Sequence, residues 1–142
     1  MLFKCDLFAV LTLSLTLLAG CSSEKVVPVV PADGTVTLNG VGLNNVLIRF
    51  VPEGKEINGN IESSGVTDEQ GNFRLTASDG RDGAVPGPGH VLLVDMAEER
   101  PVQGEEAVAT PRFSSDYSVL NGRSLTATVT DGVAMKVEVP AQ

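Results

Sequence analysis

Side chains able to do chemistry are scarce in this sequence, and their spacing narrows what they could do. Among 142 residues there are one histidine, His90, and two cysteines, Cys5 and Cys21. A catalytic zinc takes about three protein ligands, commonly with two histidines among them, so composition rules against a zinc enzyme. His90 could be set beside several serines and aspartates on paper. However, no Gly-x-Ser-x-Gly elbow exists to present a nucleophile, and a histidine where a strand begins is expected to be structural and partly buried. No enzyme activity and no cofactor are expected. Carboxylates offer more: Asp68 and Glu69 share one turn and Asp79 and Asp82 another, and hard oxygens of this kind suit calcium. The spacing is not that of an EF-hand, and aspartate also opens turns by accepting from its own backbone. Asp68, Asp79 and Asp82 are therefore calcium candidates set against a plain turn-forming role.

Sugar sites usually offer an aromatic platform. Beyond residue 20 the only aromatics are Phe50, Phe73, Phe113 and Tyr117, with no tryptophan in the chain. Phe50 and Phe73 fall on core-facing positions of their strands. Phe113 and Tyr117 remain as exposed platforms or, alternatively, as a plug packing their loop onto the domain. They end the longest irregular segment, residues 97 to 116, which carries Glu98-Glu99 and Glu105-Glu106. Long loops in compact domains are often functional, so Glu105, Glu106, Phe113 and Tyr117 mark the first place to seek a ligand or partner.

The elements that must position these residues are strands. Gly65 to Leu75 is the organising stretch: Asp68, Glu69 and Gln70 fit a type I turn, Gly71 a left-handed residue after it, and Phe73 and Leu75 alternate with polar neighbours. This predicts a hairpin. Asp33 to Leu38 predicts a strand with Val36 and Leu38 inward, followed by a turn at Asn39-Gly40. Val46 to Val51 predicts a second, facing the core on Val46, Ile48 and Phe50. Pro86 and Pro88 lack amide donors, so Ala84 to Gly89 is expected to stay out of paired strands. The apolar run His90 to Met96 is expected to be the most buried strand, covered on both faces. Tyr117 to Leu120 could open a late strand, and Leu125 to Val129 and Met135 to Val139, joined at Asp131-Gly132, predict a closing hairpin. About seven strands with regular turns argue for an all-β sandwich.

The N-terminal region has a different character. Lys4, the apolar run Leu7 to Leu18 and the small Ala19 and Gly20 form a secretory leader. Its apolar run spans only about 18 Å against a hydrocarbon core of about 30 Å. Leu18-Ala19-Gly20-Cys21 resembles the lipobox of bacterial lipoproteins at every position. The resemblance implies cleavage before Cys21, acylation of its thiol and anchorage to a membrane. Ser22 in place of aspartate resembles lipoproteins not retained at the inner membrane, which points to the outer one. Ser22 to Pro31, with Pro28 and Pro31, is expected to tether a domain beginning at residue 33, its length about 30 Å if extended. The alternative for Val26 to Val30 is an interrupted edge strand.

The formal charge is −8, and the leader removes one Lys and one Asp, leaving it unchanged. Such a surface repels phosphates, so nucleic acid is not an expected partner. Several stretches, namely Asp33-Gly34-Thr35-Val36, Gly40, Leu43, Val46 to Ile48, Val66-Thr67-Asp68, Gly71-Asn72-Phe73 and Val85-Pro86-Gly87 to Val91, together resemble the carboxypeptidase regulatory-like, transthyretin-like domain. The resemblance covers most of residues 33 to 139 and implies a β-sandwich accessory module. Transthyretin-like hydrolases end in Tyr-Arg-Gly-Ser, whereas this chain ends in Val139-Pro140-Ala141-Gln142, a departure that removes their activity. The expectation is a non-enzymatic envelope lipoprotein that meets an envelope protein, or alternatively a glycan or calcium through the 97 to 117 loop.

Overall fold

The computed structural model describes residues 26–54, 61–97, 111–123 and 125–141. The leader with Leu18, Ala19, Gly20 and Cys21, and the acidic residues Glu105 and Glu106, lie outside the described residues.

Alternation builds two sheets. The first is centred on β1 (Asp33–Leu38), which pairs antiparallel with β2 (Val41–Gly42) and β5 (Asn72–Arg74) and parallel with β9 (Met135–Val139). The second has the order β6 (Thr76–Ala77), β4 (Ser63–Val66), β3 (Val46–Pro52), β7 (Gly87–Asp95), β8 (Leu125–Val129). Val36, Phe73, Met135, Val137 and Val139 from one sheet meet Val46, Ile48, Phe50, Val91, Leu93 and Val129 from the other in a single core. The molecule is an all-β sandwich of two face-to-face sheets. Nine strands occur among the described residues rather than about seven, because β2, β5 and β6 are only two or three residues long.

The turn at Gly71 forms as its residues require. The Asp68 carboxylate accepts from the Gln70 and Asn72 amides at 2.9 and 2.8 Å, the Gly71 amide donates to the Asp68 carbonyl at 3.0 Å, and Gly71 sits at φ +84°. The expected hairpin does not form. β4 stays on β3 and β5 crosses to β1, so this loop carries the chain between sheets. Thr67 fixes the departure, its hydroxyl accepting from the Val46 amide at 2.9 Å. The closing hairpin fails in the same way: β8 pairs β7 while β9 pairs β1. Inward alternation does set which face each strand buries, but the same alternation suits either sheet.

Three further expectations change. Pro88 and Gly89 lie inside β7, opposite Thr128 and Ala127. The last registered pair toward β3 is Pro52 with Gly89; Glu53 continues that register opposite Pro88, and since proline has no amide hydrogen to return the bond, the ladder ends there. The Pro88 carbonyl accepts from the Glu53 amide at 2.9 Å. β7 is buried at Val91, Leu92 and Leu93, but Val94 and Met96 are exposed, so one end is not covered. The stretch at Tyr117 is a 3-10 turn, Ser115–Ser118, not a strand. The folded body also starts before residue 33. Val30 and Ala84 exchange backbone hydrogen bonds of 2.9 Å, Arg81 donates to the Val27 carbonyl at 2.8 Å, and Ala32 is buried.

Candidate functional site

The end of the sandwich where β3 starts and β7 stops gathers a cluster of polar contacts at Asn44, Asp95, Ala97 and Arg112. Asn44 leads into β3, Asp95 closes β7 and Arg112 returns from the loop. The guanidinium donates from Nε and NH2 to the Asp95 carboxylate at 3.0 and 2.5 Å, from NH1 to the Asn44 Oδ1 at 2.9 Å, and from NH2 to the Asn44 carbonyl at 2.7 Å. The Ala97 and Arg112 amides donate to the same carboxylate at 3.1 and 3.2 Å. Burial pushes the Asp95 carboxyl up, but the Arg112 guanidinium and the Ala97 and Arg112 amides outweigh it and hold the group below its ordinary value. All three guanidinium nitrogens have partners within the fold. The cluster is a clasp that joins the two ends of the loop.

Beside the clasp stand the two aromatics considered as exposed platforms. Both are buried, Phe113 and Tyr117 at 2% exposure each, with ring centroids 6.3 Å apart and planes at 67°. They pack into the common core with residues of both sheets, which leaves neither ring face for a sugar and corrects that expectation. Ser114 starts the 3-10 turn by accepting from the Asp116 amide at 3.2 Å, which orients Tyr117 inward. Sequence alternation could not show this, since a 3-10 turn has no strand period.

The calcium candidates are similarly occupied. The Asp68 carboxylate also accepts from Asn72 Nδ2 at 3.1 Å, and the bonds from Asn72 hold its carboxyl below the ordinary value. Asp79 accepts from Arg81 Nε at 2.9 Å and NH2 at 2.6 Å, and the Arg81 side chain lowers its carboxyl. Asp82 faces solvent in a bridge opposite Thr76. Among the described residues no group of three or more His, Cys, Asp or Glu is placed to hold a metal. His90 is half-buried in β7. Its Nε2 lies 3.7 Å from Glu53 Oε1, while Nδ1 is enclosed without a partner among the described residues.

A concavity with polar lining, an open trough of about 590 Å³, lies beside the Gly71 turn. Asp33, Thr35, Asp68, Asn72 and Arg74 supply its polar groups, and Val66 and Phe73 its apolar side. Asp33 and Arg74 are register partners across β1 and β5, so opposite charges sit side by side there. Such a trough offers hydrogen bonds to a small polar molecule but no nucleophile paired with a base. Comparison with family models, with curated proteins and with solved structures returns no significant match. Among the described residues no helix is long and apolar enough to cross a membrane.

Proposed function

We propose that this chain is a membrane-anchored, non-enzymatic lipoprotein of the cell envelope whose domain, transthyretin-like in character, serves as an interaction or structural module. The observation carrying the reading is the leader ending in Leu18-Ala19-Gly20-Cys21, with Lys4 ahead of an apolar run too short to span. An acyl chain contributes about 0.8 kcal/mol per buried methylene, so two or three chains hold a protein at a bilayer almost permanently. The fold adds one point. Arg81 grips the Val27 carbonyl, only six positions after Cys21. Six extended residues reach about 20 Å, so an anchored domain would ride closer to the lipid than a ten-residue tether allows. Single His90 and the absence of any cysteine after Cys21 support a role other than catalysis.

Cells fed an alkyne-tagged fatty acid test this reading. The wild-type chain should take up label and sediment with membranes, and Cys21→Ser should abolish both. Unlabelled wild-type protein, or label that survives Cys21→Ser, would reject it.

A further inference from the structure

The segment from Val26 to Pro31 lies against the folded body without joining either sheet. Val30 exchanges two backbone hydrogen bonds of 2.9 Å with Ala84, and Arg81 donates from NH1 to the Val27 carbonyl at 2.8 Å. The rest of that guanidinium is clamped. Asp79 accepts from its Nε and NH2 at 2.9 and 2.6 Å, which aims NH1 at the segment. Gly83 completes the seat: at φ +116° it lies so close to the segment that a Cβ would run into the Val30 carbonyl and come within 3.1 Å of the Pro31 Cα.

The grip is specific but slight. No residue from Val26 to Pro31 is fully buried, and of these six only Val30 packs against the core. Burial begins at the next residue, Ala32, whose carbonyl accepts from the Leu75 amide at 2.9 Å. A boundary of this kind is where a structure opens locally, since few apolar contacts and few hydrogen bonds hold one side of it. Pro28 and Pro31 favour closing again, because their fixed φ leaves the loose segment fewer conformations to give up. Release and return are both within easy reach.

We propose that residues 26–31 are a strap that docks on and releases from the native domain, giving the chain two lengths of tether. Docked, the chain leaves the body at Val27, six positions from Cys21; released, it leaves at Ala32, eleven positions away. Full extension is about 20 Å in the first case and about 36 Å in the second, so the domain gains about 16 Å of reach. That gain rests on the lipid anchor proposed at Cys21, whereas the opening of the strap does not.

Amide hydrogen exchange of the full chain in detergent tests the strap. The Val30 and Ala84 amides should be about a hundredfold less protected than the Leu75 amide, which makes the first bond inside the body. Arg81→Met should lower the protection of Val30 and Ala84 about tenfold more, the worth of one hydrogen bond from a charged donor, and leave Leu75 unchanged. Asp79→Asn keeps the guanidinium but loosens its clamp, and should act on the same two amides by less. Equal protection of all three amides in the wild type overturns the proposal, as does an Arg81→Met chain that matches the wild type. Reach is read separately, with a dye on Val41→Cys, an exposed position past the far end of β1, and an acceptor lipid in vesicles carrying the acylated protein. Arg81→Met should lengthen the mean distance from dye to bilayer, and an unchanged distance overturns the two-length tether. A chain found without an acyl group rejects the anchor alone, and the exchange result then decides the strap.

Discussion

Arg112 ties together chain positions that sequence reading treats as unrelated. Its partners Asn44 and Asp95 are respectively 68 and 17 residues away, and the side chains are largely covered, 27% exposed for Arg112 and 14% for Asp95. Removing the cation leaves a mostly buried carboxylate without its counter-ion, so Arg112→Met should cost about 2 to 3 kcal/mol in urea unfolding at neutral pH. The loss should depend on acidity in a defined direction. Since the fold holds the Asp95 carboxyl below its ordinary value of 3.8, its stabilisation is complete above that pH and disappears as pH falls through the lower folded value. The gap between wild type and Arg112→Met should therefore close in acid, and a gap that widens there would contradict the clasp. Two glycines offer a second comparison. Gly71, at φ +84°, would place a Cβ 2.6 Å from the Val36 carbonyl oxygen, whereas Gly40, at φ +76°, has nothing within 4 Å. Alanine at 40 meets only the backbone preference, about 1 kcal/mol. Alanine at 71 also meets the clash and should cost about 2 to 4 kcal/mol by thermal or urea unfolding.

At the level of elements, sequence and structure agree wherever a signal is local. Val46, Ile48 and Phe50 turn inward, as do Met135, Val137 and Val139, because a period of two forces one face to be apolar. The Asn39-Gly40 turn closes β1 on β2 with φ +54° and +76°, again a local choice. Sequence says nothing about which sheet a strand joins. β4 to β5 and β8 to β9 look like hairpins because hairpins and sheet-crossing loops share turn residues, and long-range packing decides between them. Pro88 misleads for a related reason, since a proline at the last position of a ladder forfeits a single return bond and can still accept through its carbonyl. Of the candidate site, the turn role of Asp68 was legible, whereas the burial of Phe113 and Tyr117 depends on a 3-10 turn with no apolar period. The parallel pairing of β9 with β1 was also invisible. It gives a direct test: deleting residues 135–142 strips one edge of β1 and uncovers the core at Val36 and Phe73, and should abolish cooperative unfolding. A truncated chain that still melts in one sharp transition would refute that role for β9.

For the whole molecule, contacts are dominated by pairs distant in sequence, the β1 to β9 ladder joining residues 101 positions apart. Such topology folds on the scale of milliseconds to seconds rather than microseconds, as stopped-flow refolding would show. Amide exchange should be slowest in β1, β3 and β7, which are paired on both edges, and fastest at Val26 to Pro31, held mainly by Arg81 and the Val30 bridge. The same parallel ladder has a mechanical meaning. β1 begins near the front of the folded body and β9 ends near its back, and the two run in the same direction over five registered pairs. Tension between the two chain ends would pull them past each other lengthwise, loading all the bonds of the ladder at once instead of peeling them singly. A sandwich wired this way resists being stretched along the line joining its termini, a property suited to any chain held at one end while its surroundings move.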